Sequence, residues 1–151
     1  MEWAQNKVIL CLKYGTEYYI VVVRGSFVRV FKSKHFSRYA RKEGIENTAL
    51  ADAIREIEEG LFDAVLGGGL VKKRVAREGS GKSSGYRTII AFSSGQRSLF
   101  LYGFAKSDRD NIGVDELREL RKLAQLFLGL KDDEIASALE IGRIEEIPYH
   151  D

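Results

Sequence analysis

The sequence of 151 residues is poor in cysteine and proline and has no long uncharged apolar run. Its one cysteine, Cys11, has no partner for an internal disulfide or a CxxC motif, which favours a reducing cytoplasm and a place for Cys11 in the core. The apolar run over residues 8–23 is interrupted by Lys13 and Glu17, so it is too short to span a bilayer. It also lacks the basic start and the cleavage site of a signal peptide. We therefore expect a cytoplasmic protein with no membrane partner.

Charge is distributed unevenly along the chain. Residues 67–109 contain nine Lys or Arg and only two carboxylates, Glu78 and Asp108, which gives a local charge of about +7. Residues 110–151 contain eleven acidic and five basic residues, so the whole-chain charge of +2 conceals a basic centre and an acidic end. The basic centre predicts a polyanionic partner such as RNA.

The scarcity of histidines and carboxylates limits the chemistry that the basic centre can perform. His35 and His150 are the two histidines, and both lie outside it. We therefore expect neither a catalytic histidine pair nor a carboxylate-held metal ion, and no cofactor. Arginine and lysine remain as candidates for the chemistry. Arginine stays charged and bridges phosphate oxygens. Crowding by like charges lowers the pKa of a lysine, so that it can lose its proton and act as a base.

The stretch GSGKSSGYR, residues 79–87, is similar to a nucleotide-binding loop in composition but not in spacing. A P-loop needs a glycine five residues before its Gly-Lys pair and a helix after it. Ala76 stands at that glycine position, and the sequence SGYRTIIAF after Ser83 has the pattern of a strand. The stretch therefore predicts a turn between two strands rather than an ATP site.

Alternating and helical patterns predict one α+β domain. KVILCLKY and YYIVVVRG flank GTE as a hairpin, and LVKKRVAR, YRTIIAFS and SLFLYGFA predict three antiparallel strands. Two amphipathic helices broken near Gly44 precede these strands, a Leu-rich helix follows them, and DDEIASALEIGRIEEI predicts a short terminal helix. The apolar helix positions are Phe36, Tyr39 and Ala40, then Leu50, Ala53, Ile54, Ile57 and Leu61, then Leu117, Leu120, Leu123, Ala124 and Phe127. The expected fold is a small antiparallel sheet with two N-terminal helices and a C-terminal helix.

Strand periodicity brings several basic residues together. Because alternate residues of a strand share a face, Lys72 and Arg74 point one way and Lys73 and Arg77 the other. The predicted basic region contains Lys73, Arg77, Lys82 and Arg87, and the exit of the next strand adds Lys106 and Arg109. Converging cations repel one another unless an anion lies among them, so the region predicts an anion site.

Three long motifs follow one another in the centre of the chain: GGGLVKKRVAR at 67–77, GKSSGYR at 81–87 and YGFAK at 102–106. With FSRYARKEGI and GRIEEI, they make the chain from about Arg29 to Ile147 resemble the RelE/HigB superfamily of bacterial toxin–antitoxin toxins. The resemblance implies a microbial-ribonuclease-like fold and cleavage of mRNA in the ribosomal A site, by attack of the RNA's own 2′-hydroxyl and without metal. It also implies a cognate antitoxin, which in this branch is a helix-turn-helix protein.

The same resemblance implies roles for particular residues. Arg87 matches the arginine that contacts the scissile phosphate, and Lys73 best matches the strand lysine proposed as base or charge stabiliser, with Lys72 as the alternative register. The implied catalytic residues are Lys73, Arg87 and Lys106, and the implied contacts to messenger or ribosomal RNA are Lys72, Arg74, Arg77, Lys82 and Arg109. Tyr86 and Tyr102 are the candidates for base stacking, and both, Tyr102 above all, fit positions in the sheet at least as well.

The resemblance also divides the chain and leaves two other functions open. Residues 28–130 are the expected toxin domain, residues 131–151 continue it as a short helix and tail, and residues 1–27 are either a hairpin on a sheet edge or sequence added by a misplaced start. A non-catalytic member would bind antitoxin and repress a promoter, and a ParE-like member would inhibit gyrase. The ParE type lacks the catalytic basic set, which Lys73, Lys82, Arg87 and Lys106 supply here. A positive cleft suits an acidic antitoxin segment as well as RNA.

Overall fold

The central sheet takes its strands from distant parts of the chain. The computed structural model describes residues 7–14, 16–24, 28–77, 81–109 and 111–149, with side chains except at 7–14, 18–24, 77 and 81–84. The elements are β1 (Lys7–Tyr14), β2 (Glu17–Arg24), β3 (Arg29–Ser33), α1 (Lys34–Glu43), α2 (Asn47–Glu58), β4 (Ala64–Gly67), β5 (Leu70–Arg77), β6 (Gly81–Ser93), β7 (Arg97–Ala105), α3 (Val114–Leu128), α4 (Asp132–Glu140) and β8 (Ile144–Ile147). The strand order is β4-β5-β6-β7-β3-β8, in which β3 and β7 run parallel and the other neighbours antiparallel. The predicted α+β fold is confirmed, with a mixed rather than a purely antiparallel sheet.

The predicted hairpin is also present. β1 and β2 form a separate two-stranded sheet in which Lys7 lies opposite Arg24 and Tyr14 opposite Glu17. The assignment of residues 1–27 as a native hairpin or an added start remains a prediction.

One face of the central sheet is covered by α1 and α2, and we call it the α1–α2 face. Six of the predicted helix positions are buried there: Phe36, Ala40, Leu50, Ala53, Ile54 and Ile57. The Ser33 hydroxyl caps the start of α1 by accepting the N–H of Phe36, and Gly44 ends it with φ of 68°. Leu61 was predicted to lie on the same stripe but is 56% exposed, because α2 ends at Glu58.

The opposite face is covered by α3 and α4, and we call it the α3 face. Ala124 and Phe127 are buried as predicted, whereas Leu123 is 49% exposed beside a cavity of about 330 Å³ lined by α3, α4 and β7. The prediction that Leu123 is buried was therefore wrong, because the two helices leave a gap at that position. Within the described ranges, no helix combines the length and the apolar character needed to cross a membrane.

Three short strands were not predicted from the sequence: β3, β4 and β8. The terminal helix predicted through Ile147 ends instead at Glu140, and Gly142 turns the chain with φ of 74°. β8 then pairs antiparallel with β3 and buries Ile144 and Ile147. The helix stops here because pairing with β3 satisfies the backbone and buries both isoleucines, a gain that no local pattern reveals.

The glycine triplet 67–69 fixes the start of β5. All three glycines have φ between 61° and 82°, the left-handed region that other residues rarely adopt. A Cβ on Gly69 would lie 2.7 Å from Leu128 Cδ1, so α3 packs directly on the turn. Arg121 and Gln125 of α3 donate to the carbonyls of Leu66 and Gly68. The turn therefore sets which residues of β5 face α3.

Candidate active site

β5 places its two lysines on opposite faces of the sheet. Residues directly opposite each other in an antiparallel pair share a face. Lys73 pairs with Thr88 on the α1–α2 face, whereas Arg74 pairs with Arg87 on the α3 face. Arg87 pairs in turn with Phe104 of β7. The α3 face therefore carries Lys72, Arg74, Arg87 and Phe104 as neighbours.

Arg87 is a buried cation with few partners. It is 7% exposed, and its Nη1 donates to the carbonyl of Gly85 at 3.2 Å. Among the side chains that the structure describes, no carboxylate contacts it. A buried guanidinium without a countercharge is costly, and an anion supplied from outside would offset that cost. Arg87 is therefore the strongest candidate for holding a phosphate group.

Lys73 does not join Arg87, contrary to the predicted convergence of these residues. Its side chain is buried on the α1–α2 face, where Nζ lies 2.5 Å from Glu56 Oε2 and donates to the carbonyl of Leu61 at 2.8 Å. These contacts attach the end of α2 and the segment after it to β5. The expected convergence was wrong because the register of β5 turns Lys73 away from the α3 face, and Lys72, the alternative register, lies with Arg87.

Lys72 and Arg74 both lie near Arg87, but they differ in how their side chains are bonded. The Arg74 guanidinium donates to Asp63 Oδ1 at 3.1 Å, and its backbone N–H donates to Asp63 Oδ2 at 2.6 Å. Lys72 is half-buried opposite Ile89, and its ammonium has no ion pair or hydrogen bond among the described side chains. Lys72 can therefore turn to a bound anion without breaking a contact, whereas Arg74 is already paired.

A β-bulge in β7 brings two aromatic rings to the same face as Arg87. Ile89 pairs with Tyr102 but Ile90 pairs with Phe100, so Leu101 is an extra residue. Strict alternation would place Phe100 and Tyr102 on one face. Because of the bulge, Phe100 enters the core under α1 and α2, whereas Tyr102 and Phe104 lie on the α3 face.

Arg109 completes the site but is held by a carboxylate. Its Nη2 and Nη1 donate to the two oxygens of Glu116 at 2.7 and 3.0 Å, and Nη1 also donates to the Tyr102 hydroxyl at 3.3 Å. The guanidinium carbon lies 5.8 Å from the centre of the Phe104 ring. The bonds to Glu116 and then Tyr102 raise the pKa of Arg109 above its usual value, and the bond from Arg109 lowers the pKa of Glu116. We call Lys72, Arg74, Arg87 and Arg109 together the Arg87 cluster.

The remaining predicted basic residues border this cluster or lie outside the described side chains. Lys106 is exposed in the turn after β7, one residue beyond the pair that Ala105 makes with Tyr86. The side chains of Arg77 and Lys82 are outside the described part of the chain, so their predicted contacts stay predictions.

The two candidate stacking tyrosines lie on different faces. Tyr86 is buried on the α1–α2 face, where its hydroxyl donates to the carbonyl of Glu43 at 3.1 Å and its ring meets Tyr39 edge-on. These contacts give Tyr86 the position of a buried sheet residue, and its base-stacking role stays a prediction. Tyr102 is half-buried and lies parallel to the ring of His35, with the centroids 5.7 Å apart.

His35 and Glu116 belong to the site although the sequence did not indicate them. His35 was placed outside the basic region because it is distant in sequence, yet the parallel pairing of β3 with β7 brings the start of α1 to Tyr102. Glu116 was expected only as part of the acidic end. Its position at N3 of α3, three residues after Gly113, is the one local signal that it would bond near the helix start.

The matching family model is the RelE toxin of the RelE/RelB toxin–antitoxin system, and it covers residues 28–147. Because the match spans most of the chain, the chain belongs to the RelE toxin family. Membership in this family implies a cognate antitoxin as a partner. A comparison with curated proteins gave no match.

Proposed function

We propose that this RelE-family toxin is a ribosome-dependent, metal-independent endoribonuclease that cleaves translated mRNA at the Arg87 cluster. The proposal rests on the buried guanidinium of Arg87, which contacts no carboxylate among the described side chains. Lys72 is its diagonal neighbour on the same face, and its ammonium has no ion pair or hydrogen bond among those side chains. Such a site stabilises the negative charge that develops on a phosphate during RNA cleavage.

The proposed reaction uses the RNA's own 2′-hydroxyl as nucleophile. The 2′-oxygen attacks the adjacent phosphorus, the bond from phosphorus to the 5′-oxygen breaks, and the products are a 2′,3′-cyclic phosphate and a 5′-hydroxyl. Arg87 bridges the non-bridging phosphate oxygens. Lys72 takes the 2′-proton or stabilises the phosphoryl charge, and the exposed ammonium of Lys106 donates a proton to the leaving 5′-oxygen. Lys73 is too enclosed by Glu56 and Leu61 to share this work.

The proposed partners are mRNA in the ribosomal A site, ribosomal RNA and a helix-turn-helix antitoxin of the HigB type. Arg77, Lys82 and Arg109 are proposed to contact RNA phosphates around the scissile group. Alignment by the ribosome has a chemical reason, because in-line attack needs the 2′-oxygen, the phosphorus and the 5′-oxygen held in one line. An acidic antitoxin segment would compete for the same cations.

A reconstituted translation reaction on a defined mRNA tests the proposal. We expect wild type to create new ends inside the translated frame, with 2′,3′-cyclic phosphates and only when ribosomes are present. Arg87→Ala should cut on the order of 10²- to 10³-fold more slowly, as expected for loss of one charge-stabilising donor. Arg118→Ala is the matched control, because Arg118 is an exposed arginine of α3 that pairs with Asp115, and it should cut like wild type.

Two other outcomes would overturn the endonuclease proposal. A folded wild type that binds its antitoxin but leaves the mRNA intact would be a non-catalytic member. Gyrase-dependent DNA breakage with intact mRNA would identify a ParE-like inhibitor.

A further inference from the structure

Nearly all hydrogen-bond donors of Arg109 are already in use. Its Nε donates to the carbonyl of Asn111 at 2.8 Å, and its two terminal nitrogens donate to Glu116 and Tyr102. A guanidinium has five N–H groups, and these four bonds leave one. The two parallel bonds to Glu116 occupy the Nη1–Nη2 edge, one of the two edges with which arginine binds a phosphate, and the bond to Asn111 occupies Nε on the other edge. While it is bonded to Glu116, Arg109 cannot donate two hydrogen bonds to a phosphate.

Glu116 is fixed in this position from its other side. Its Oε1 also accepts the backbone N–H of Gly113 at 3.2 Å, which caps the start of α3. The bond from Arg109 and then the bond from Gly113 hold the pKa of Glu116 below its usual range, so both bonds favour the charged carboxylate. A cavity of about 410 Å³, lined by Tyr102, Leu120 and the acidic residues of α3, gives a displaced carboxylate room to turn away.

Arg109 and Arg87 are close enough to act on one RNA strand. Arg109 lies over the ring of Phe104, and Phe104 is the residue opposite Arg87 in the β6–β7 pair. Adjacent strands are about 4.8 Å apart, so the two guanidinium groups can reach neighbouring phosphates of one strand. Arg87 has no carboxylate among the described side chains, whereas Arg109 has Glu116.

We propose that Glu116 is a specificity-determining residue of this site, whose carboxylate occupies the phosphate-binding edge of Arg109 and must be displaced by RNA. The inference rests on the proposed function. It follows that a single anion binds at Arg87 alone, and that Arg109 engages only when a strand already held at Arg87 presents a second phosphate. Loose RNA then binds weakly, whereas RNA held in place on the ribosome has the local concentration to displace Glu116.

The test is binding of a fluorescently labelled single-stranded RNA dodecamer across a series of NaCl concentrations. Glu116→Gln keeps an oxygen for the Gly113 N–H but removes the charge that holds Arg109. We expect this variant to bind roughly tenfold tighter, because a freed guanidinium gains a charge-assisted contact. The slope of log Kd against log salt should also steepen by about 0.7, the value for one more phosphate contact on a single strand.

Two further variants isolate the contact from general charge effects. Glu119→Gln removes the same charge from the wall of the same cavity, but Glu119 pairs with Lys122 rather than Arg109, so its salt slope should equal that of wild type. In the double variant Arg109→Ala with Glu116→Gln, the gain in affinity and slope should disappear. The salt slope also distinguishes this role from a capping role of Glu116, because loss of a cap lowers stability without adding a phosphate contact.

The inference is overturned if Glu116→Gln binds no tighter than wild type with an unchanged slope, or if the double variant keeps the gain. These results leave the proposed function standing as long as Arg87→Ala weakens binding. Equal binding by wild type and Arg87→Ala would instead remove the proposed phosphate site at Arg87, whatever Glu116 does. Absence of RNA binding by both wild type and Glu116→Gln would overturn the inference about Glu116, whereas the proposed function is decided separately by cleavage in the translation reaction.

Discussion

Lys73 and Arg87 lie on opposite faces of one sheet, although they belong to adjacent strands and differ by one position in register. Lys73 pairs with Thr88, whereas Arg87 pairs with Arg74. The residues of the motif KKR therefore have different roles: Lys73 holds α2 to the sheet, and Lys72 and Arg74 face the candidate site. Substitution of Lys72 and substitution of Lys73 are consequently expected to have different effects.

Replacing the two lysines by methionine separates structural from functional roles. Lys73→Met leaves Glu56 and the Leu61 carbonyl without this partner, so the free energy of unfolding should fall by roughly 1–3 kcal/mol. Lys72→Met removes no ion pair or hydrogen bond among the described side chains, so it should change stability by less than about 0.5 kcal/mol while lowering mRNA cleavage. Urea unfolding and cleavage of a translated mRNA check the pair. A stable Lys73→Met variant, or a fully active Lys72→Met variant, would contradict this division.

The glycine triplet offers a test of the β4–β5 turn. Gly69→Ala introduces a Cβ 2.7 Å from Leu128 Cδ1 at φ of 82°, whereas Gly44→Ala meets no atom within 4 Å at φ of 68°. Both variants adopt a left-handed conformation that costs about 1–2 kcal/mol outside glycine. The free energy of unfolding of Gly69→Ala should fall by about 1 kcal/mol more than that of Gly44→Ala, because its Cβ meets α3. Equal losses by urea unfolding would show that α3 does not press on the turn.

The lowered pKa values of two carboxylates, Glu116 and Glu146, indicate how the stability of the protein changes in acid. Hydrogen bonds from Arg109 and Arg29 lower the pKa of Glu116 and Glu146 respectively in the folded protein. Because these pKa values are depressed on folding, the stabilisation is complete above the usual glutamate pKa of about 4.3 and is lost as pH falls below it. Melting temperatures of Glu116→Gln and Glu146→Gln should therefore depend less on pH between about 6 and 3 than that of wild type. Parallel curves for all three proteins would contradict the assignment.

Local patterns in the sequence were enough to predict the helices that cover the sheet and the strands that carry the motifs. Phe36, Leu50 and Ile54 repeat at helical spacing and are buried, and β5 and β7 follow runs of β-branched and aromatic residues. The short strands β3, β4 and β8 lack such runs. Their conformation depends on partners distant in the chain, above all on the parallel pairing of β3 with β7.

The sequence indicated the basic residues of the candidate site but not how they are arranged. Arg87 was predicted correctly as a strand residue of the basic centre, but whether Lys72 or Lys73 accompanies it depends on the register that the glycine turn sets. The bulge at Leu101 moves Tyr102 to the α3 face, and the residue types in β7 do not indicate a bulge. His35 lies at the site through a pairing distant in the chain, and the position of Glu116 at N3 of α3 indicates a bond near the helix start but not its partner Arg109.

Cleavage at Arg87 is tested most directly by growth together with mapped mRNA 5′ ends after brief induction of wild type, Arg87→Ala and Arg118→Ala, with the folding of each checked by circular dichroism. We expect growth arrest and new 5′ ends inside translated frames for wild type and Arg118→Ala, and neither effect for a folded Arg87→Ala. Unimpaired growth with intact mRNA in cells that contain the folded wild type, or full cleavage by Arg87→Ala, would contradict the proposed endonuclease.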